Sequence, residues 1–261
     1  MPKLSFVRVA GLSIALLLAA CDQPPQTAEK KPVAVVNPQL PDFSQFTDVK
    51  EKKRAFFGFL QPLIKRANEQ VGIERSLILS WQENGEVSDA QQQQFNQLLK
   101  KYRVTESDTE KQLQALNAKV NEIPPSLILA QAANESAWGT SRFARLGNNL
   151  FGQWCFSKGC GIVPSSRNSG ANHEVAKFDS PYESVASYIR NLNSHPSYEE
   201  LRQLRNQELD QQNHATGMNL AAGLLKYSER GEEYVKEIRA MIRHNKLAVF
   251  DSGQEAEKNQ G

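Results

Sequence analysis

The segment from Ile123 to Gly152, I-P-P-S-L-I-L-A-Q-A-A-N-E-S-A-W-G-T-S-R-F-A-R-L-G-N-N-L-F-G, sets the tightest limits on how this chain can fold. Pro124 and Pro125 end whatever precedes them, and their fixed φ suits the first turn of a helix. The S-L-I-L-A-Q-A-A-N-E that follows is apolar enough for a buried helix. Glu135 arrives near its end. Its neighbours one turn away are Gln131, Ala132, Trp138 and Gly139, so no local Lys or Arg pairs with it. Ionising a carboxyl among alanines and an indole costs free energy, and desolvation is expected to raise its pKa.

A carboxylic acid that stays protonated near neutral pH is the group a glycosidase uses to protonate the leaving oxygen. The plainer alternative is a helix-end glutamate satisfied by a distant cation or by water. The motif A-Q-A-A-N-E-S-A-W-G-T-S-R-F-A-R-L-G-N-N-L-F-G resembles the signature of the bacterial peptidoglycan N-acetylglucosaminidases of glycoside hydrolase family 73, and more closely their Bax branch. The resemblance runs from about Pro124 to about Val249. It implies an α+β, mostly α, lysozyme-like domain over 121–250, with a cleft between helices and a short β-hairpin, acting on peptidoglycan glycan strands. It places the general acid on Glu135, in an E-S-x-W-G run that includes Trp138. The N-N-L-F-G run lines the family's cleft, making Asn149, Phe151 and the nearby Trp154 candidate sugar contacts; Phe151 reads equally well as core.

Between Lys158 and Phe178 the chain is rich in Gly, Ser and Asn, and only Ile162-Val163 and Val175 to Phe178 look strand-like, which predicts a hairpin with a long tip. The family usually carries its second carboxylate on such a hairpin. Glu174 is the best-placed acid and Asp179 the next; a solvated strand glutamate is the alternative. Ser180-Pro181-Tyr182-Glu183 opens a helix with Val185, Tyr188, Ile189 and Leu192 on one face. Shorter helices are expected near Glu199 to Arg205 and Asn219 to Lys226. Tyr227 to Tyr234 resembles the family's Tyr-rich element, whose first tyrosine lies beside the catalytic site, so Tyr227 and Tyr234 join the candidates. A last helix is expected from about Glu232 to His244, before a polar tail from 251 that reads as disordered.

N-terminal to this domain, Ala55, Phe56, Phe59, Leu60, Leu63 and Ile64 recur at helical steps, and a second helix is expected from Ile73 to about Glu83. A third follows from a Ser88 cap, and Ser107 to Glu110 reads as a capping box for a fourth. This helical region, 47–120, carries no recognisable catalytic constellation. Before it, 21–46 is proline-rich with few large apolar residues and reads as an extended tether.

Residues 1–20 read as a targeting segment, because Lys3 and Arg8 precede an uncharged run from Val9 to Ala20 that is too short to span a bilayer. Leu18-Ala19-Ala20-Cys21 resembles the bacterial lipoprotein box, which implies lipidation of Cys21 and anchoring in a Gram-negative envelope facing the periplasm; a plain secretory signal is the alternative. Asp22 resembles an inner-membrane retention signal, and the choice of membrane stays open. In an exported protein Cys155 and Cys160 are expected to form a disulfide, the rival metal site lacking further ligands nearby.

A net charge of +2 argues neither for nor against nucleic acid, and the lack of a basic stripe interleaved with aromatics sets that class aside. No metal or cofactor is expected. His173-Glu174 lacks the second histidine of a zinc protease, and neither G-x-S-x-G nor S-x-x-K occurs. The remaining rivals are a lytic transglycosylase, which normally continues its E-S motif into G-L-M-Q, and a non-catalytic peptidoglycan-binding lipoprotein.

Overall fold

The amphipathic spacing after Thr47 produces one helix where two were expected. In the computed structural model, which describes residues 37–165, 170 and 172–252, α1 runs unbroken from Val49 to Asn84, capped at its start by the Asp48 side chain and closed by Gly85 at φ 72°. Asn68, between the two expected helices, is buried inside the single one. Its amide donates to the Ile123 carbonyl (2.9 Å) and accepts from the Ile123 N–H (3.2 Å), so a tertiary pair satisfies its side chain. The targeting segment, Cys21, the tether as far as residue 36 and the tail from 253 lie outside the described residues.

Phe43 corrects the reading of the tether's last part. It is 1% exposed, in a short turn capped by Asp42, and its ring packs on Phe56 and Phe59. One buried aromatic is enough to anchor residues whose composition otherwise argues for an open chain.

Two short helices follow, α2 (Gln92–Lys101) and α3 (Thr109–Lys119). Both starts differ from expectation. Ser88 bonds the Gln91 side chain and does not cap α2, and Asp108, in place of Ser107, accepts from the N–H of Lys111 to cap α3. Then comes α4 (Pro125–Glu135), buried at every residue from Ser126 to Ala133. Pro124 gives its N-terminus no side-chain cap. Asp251 supplies one from the far end of the chain, accepting from the Ser126 N–H (2.9 Å) and hydroxyl (2.6 Å) and from the Gly217 N–H (3.0 Å).

After α5 (Arg142–Gly147) the chain forms three short strands, β1 (Trp154–Cys155), β2 (Gly161–Ile162) and β3 (Glu174–Ala176), antiparallel in the order β1-β3-β2. The β2–β3 pair is the expected hairpin, with Ile162 opposite Val175; β1 is an addition. The helix α6 (Pro181–Ser194) starts at the Ser180 cap and buries Val185, Tyr188, Ile189 and Leu192 as predicted. Next, α7 extends from Glu199 to Gln212, well past the expected end. The predicted Asn219–Lys226 helix is the four-residue α8 (Gly217–Leu220) and a 3₁₀ turn. The reason is close packing: a side chain on Gly223 would reach within 2.4 Å of the Leu201 backbone. The last helix, α9 (Glu232–His244), has the predicted bounds.

A continuous core extends from Phe43 through α1, α4, α6 and α9 to Leu247. The α+β, mostly α class is the one expected. Where α3 leads into α4, the fully buried Arg205 donates to the carbonyls of Ala118, Lys119 and Asn121 and to the side-chain oxygen of Asn193. Burial lowers its pKa to about 9, so it remains cationic at neutral pH beside the carbonyl end of α3. Arg205→Ala strands these acceptors. It should cost about 3 kcal/mol or more, read as a lower urea midpoint with an unchanged slope.

Candidate active site

Glu135 is the last residue of α4, and the backbone beyond it is unusual: Ala137, Trp138 and Gly139 have φ of 49°, 60° and 75° in succession. For the two residues with side chains the left-handed region costs about 1–3 kcal/mol each. Local hydrogen bonds hold the turn. The Trp138 N–H reaches the Ala133 carbonyl (2.9 Å), and the Ser136 hydroxyl donates to the Ala132 carbonyl (2.6 Å) while accepting from the Gly139 N–H (2.8 Å).

Packing from Phe43 and from α1 completes the hold. A Cβ on Gly139 would lie 2.5 Å from the Phe43 ring, and the Trp138 indole meets Phe56 and Phe57 edge-on, with the Lys53 ammonium 4.9 Å above it. Trp138, a candidate substrate contact from its place in the motif, is partly buried and braces the turn against α1.

The carboxyl itself lies at the end of a directed chain of hydrogen bonds. The Tyr188 hydroxyl donates to Gln131 Oε1, Gln131 Nε2 donates to the Tyr234 hydroxyl (2.8 Å), and the Tyr234 hydroxyl donates to Glu135 Oε1 (2.6 Å). Burial raises the pKa of Glu135; bonds from Tyr234 and Asn134 and the nearby Arg230 oppose that, and Glu237 adds to it. Burial, with the Glu135 charge, also raises the pKa of Tyr188, Tyr227 and Tyr234, so the hydroxyls remain donors. Tyr234 and Asn134 both address Oε1. Among the described residues no hydrogen bond reaches Oε2, so a proton held by this acid sits on Oε2.

Tyr234, and not Tyr227, is thus the tyrosine that touches the acid. Buried to 1% exposure, it serves as hydrogen-bond partner and not as a sugar platform. Tyr227, partly buried, stacks on the Tyr234 ring (5.3 Å, 9°) and donates to the Phe151 carbonyl (2.9 Å). Phe151 is core, stacked on Tyr188. Asn149 is buried and fully engaged: its Nδ2 donates to the Gln153 and Ala176 carbonyls, and its Oδ1 accepts from the Phe151 and Gln153 N–H groups. With all its capacity used, Asn149 shapes the loop and cannot also bind a ligand through its side chain. Gln131, one turn before Glu135 on the same face, and Tyr188 are the site residues that sequence reasoning missed.

Glu174 lies on β3, its carboxyl within 4.8 Å of both sulfurs of the Cys155–Cys160 disulfide. It is 5% exposed, and its two oxygens accept from the N–H groups of Gly159 (3.0 Å) and Gly161 (2.8 Å). So placed, its carboxylate braces the loop; Asp179 is exposed before α6. The two sulfurs and Glu174 lie close enough to share an ion, but bonded sulfurs offer no thiolate. Trp154 is exposed, as a sugar platform would be, and stacks on His173; Phe156 next to it is 73% exposed and was not anticipated.

The family described as mannosyl-glycoprotein endo-beta-N-acetylglucosaminidase matches residues 110–247. The chain belongs to this glucosaminidase family. Protein Bax of Escherichia coli (strain K12) is 32% identical over 212 residues, covering 80% of this chain and 76% of that protein. The catalytic domain of the autolysin Auto from Listeria monocytogenes is 19% identical, over 80% of this chain and 92% of that one, with a TM-score of 0.44. The glucosaminidase match begins inside α3, before the point where the family likeness is first legible by motif.

Two substitutions probe this glucosaminidase site. Gly139→Ala combines a left-handed φ with a clash against Phe43 and should cost about 2 kcal/mol or more in denaturant unfolding. Tyr234→Phe removes a bond that favours the charged carboxylate, so the Glu135 pKa should rise further in a carbon-13 titration; an unchanged or lower value contradicts the assignment.

Proposed function

We propose that the chain hydrolyses the β-1,4 bond after N-acetylglucosamine in peptidoglycan, with Glu135 as the general acid. The observation that carries this is the asymmetric carboxyl: Oε1 is fixed by Tyr234, burial favours the protonated form, and Oε2 is left to deliver the proton to the leaving oxygen. Membership of the glucosaminidase family supports it.

For the step after protonation, the burial of Glu174 and its two backbone bonds favour attack by the substrate's own acetamido oxygen, which retains the anomeric configuration. Water activation by Glu174 would invert it and would first require the loop to release the carboxylate. Proton NMR of the first product formed separates the two. A 1,6-anhydro sugar end in the product's mass would instead assign the chain to the lytic transglycosylases. Lipidation of Cys21, and with it a periplasm-facing membrane anchor, completes the proposal; mass spectrometry of the mature N-terminal peptide tests it.

Glu135→Gln keeps the shape and removes the proton. Digestion of purified sacculi should fall by roughly 10²–10⁴-fold, and retained activity contradicts the mechanism. The same variant should melt no lower than the wild type at neutral pH. A carboxyl whose folded pKa is raised adds stability below its unfolded pKa, and that stability is lost as pH rises through the folded value; above that value the wild type carries the desolvated charge and Gln does not. If wild-type protein binds sacculi and releases nothing, the non-catalytic binding reading replaces the enzymatic one.

A further inference from the structure

A concave surface to which Glu135 does not contribute opens between α2, β1 and α6, with a volume of about 700 Å³. One wall is a single face of α6, where Ser187, Arg190, Asn191 and Ser194 recur at steps of three and four. The opposite wall comes from the end of α2 and its following turn, with Lys100, Lys101 and Arg103. Trp154 stands on the edge strand β1, 59% exposed and stacked at 4.1 Å on the His173 ring. No Asp or Glu is among the described lining residues.

Lys101 is committed to Glu74 at 2.6 Å. Lys100, Arg103 and Arg190 are exposed and form no ion pair among the described residues; the Arg190 guanidinium is steadied by the Ser187 hydroxyl (3.2 Å). We propose that this groove binds a carboxylate-bearing peptide. The cations come from two separate elements, the end of α2 with its turn and α6, which suits carboxylates spaced along an extended chain better than a single phosphate, for which donors cluster. Gln97 offers an amide donor and acceptor for a peptide backbone, and Trp154 offers a rigid apolar plate that loses little freedom on binding. The identity of that peptide, the substituent carried by the glycan strand, rests on the peptidoglycan reading above. The groove also gives the helical N-terminal region a role in recognition, since α2 forms one of its walls.

The test uses Glu135→Gln protein, so that nothing is cleaved, and isothermal titration with three probes: a soluble disaccharide-tetrapeptide, the same molecule with its carboxyls amidated, and the bare disaccharide. The carboxylate form should bind at least about tenfold more tightly than the other two at low salt, with the gap closing as salt rises. Adding Lys100→Glu and Arg190→Glu should reduce it to the level of the bare disaccharide. Equal affinity for the three probes overturns the proposal without any groove variant having to fold. So does a preference that survives the charge reversal, or binding of phosphatidylglycerol vesicles in place of the peptide. Sacculus digestion by the wild type is read separately, so loss of the groove and loss of the Glu135 mechanism are distinguishable.

Discussion

One hydroxyl joins the parts of this molecule that chemistry requires to be together. Tyr234, on α9, donates to a carboxyl at the end of α4 and accepts from Gln131, which in turn accepts from Tyr188 on α6. Three helices are thereby fixed around one acid in a site where burial favours the proton staying on. Each link also has a direction. Because the phenols remain protonated and the amide can donate from only one end, the chain delivers its hydrogen to Oε1 and leaves Oε2 without a hydrogen bond among the described residues.

The same acid depends on α1 through a different kind of contact. Three successive left-handed residues are held by local hydrogen bonds and by packing together: the rings of Phe43, Phe56 and Phe57 close over Gly139 and Trp138 from outside the family motif. The helical N-terminal region is therefore part of the scaffold that aims Glu135, and it shares one core with the helices that follow.

Much of the scaffold was legible in the sequence where local signals agree with tertiary demand. Two prolines and an apolar run define α4, and Ser180-Pro181 defines the start of α6. Legibility failed where a residue's partner is remote. Asn68 falls between two expected helices until Ile123 is beside it, and α4 lacks a cap until Asp251 returns from the end of the chain. In the site, the motif named the right neighbourhood but not the direction of each side chain. Trp138, Asn149 and Phe151 are the expected residue types, yet they face α1, the loop backbone and Tyr188, because packing decides orientation and a motif records only identity. The family likeness put the first tyrosine, Tyr227, beside the catalytic site; the geometry puts Tyr234 against the acid, with Tyr227 stacked on it.

The central claim is that this carboxyl holds a proton for a glycosidic oxygen. Its most direct test pairs the pH dependence of wild-type sacculus digestion with the carbon-13 titration of Glu135 in the same protein. The account predicts an alkaline limb of the rate profile that coincides with a Glu135 titration above the ordinary glutamate value. Activity that continues undiminished after Glu135 has lost its proton would contradict it.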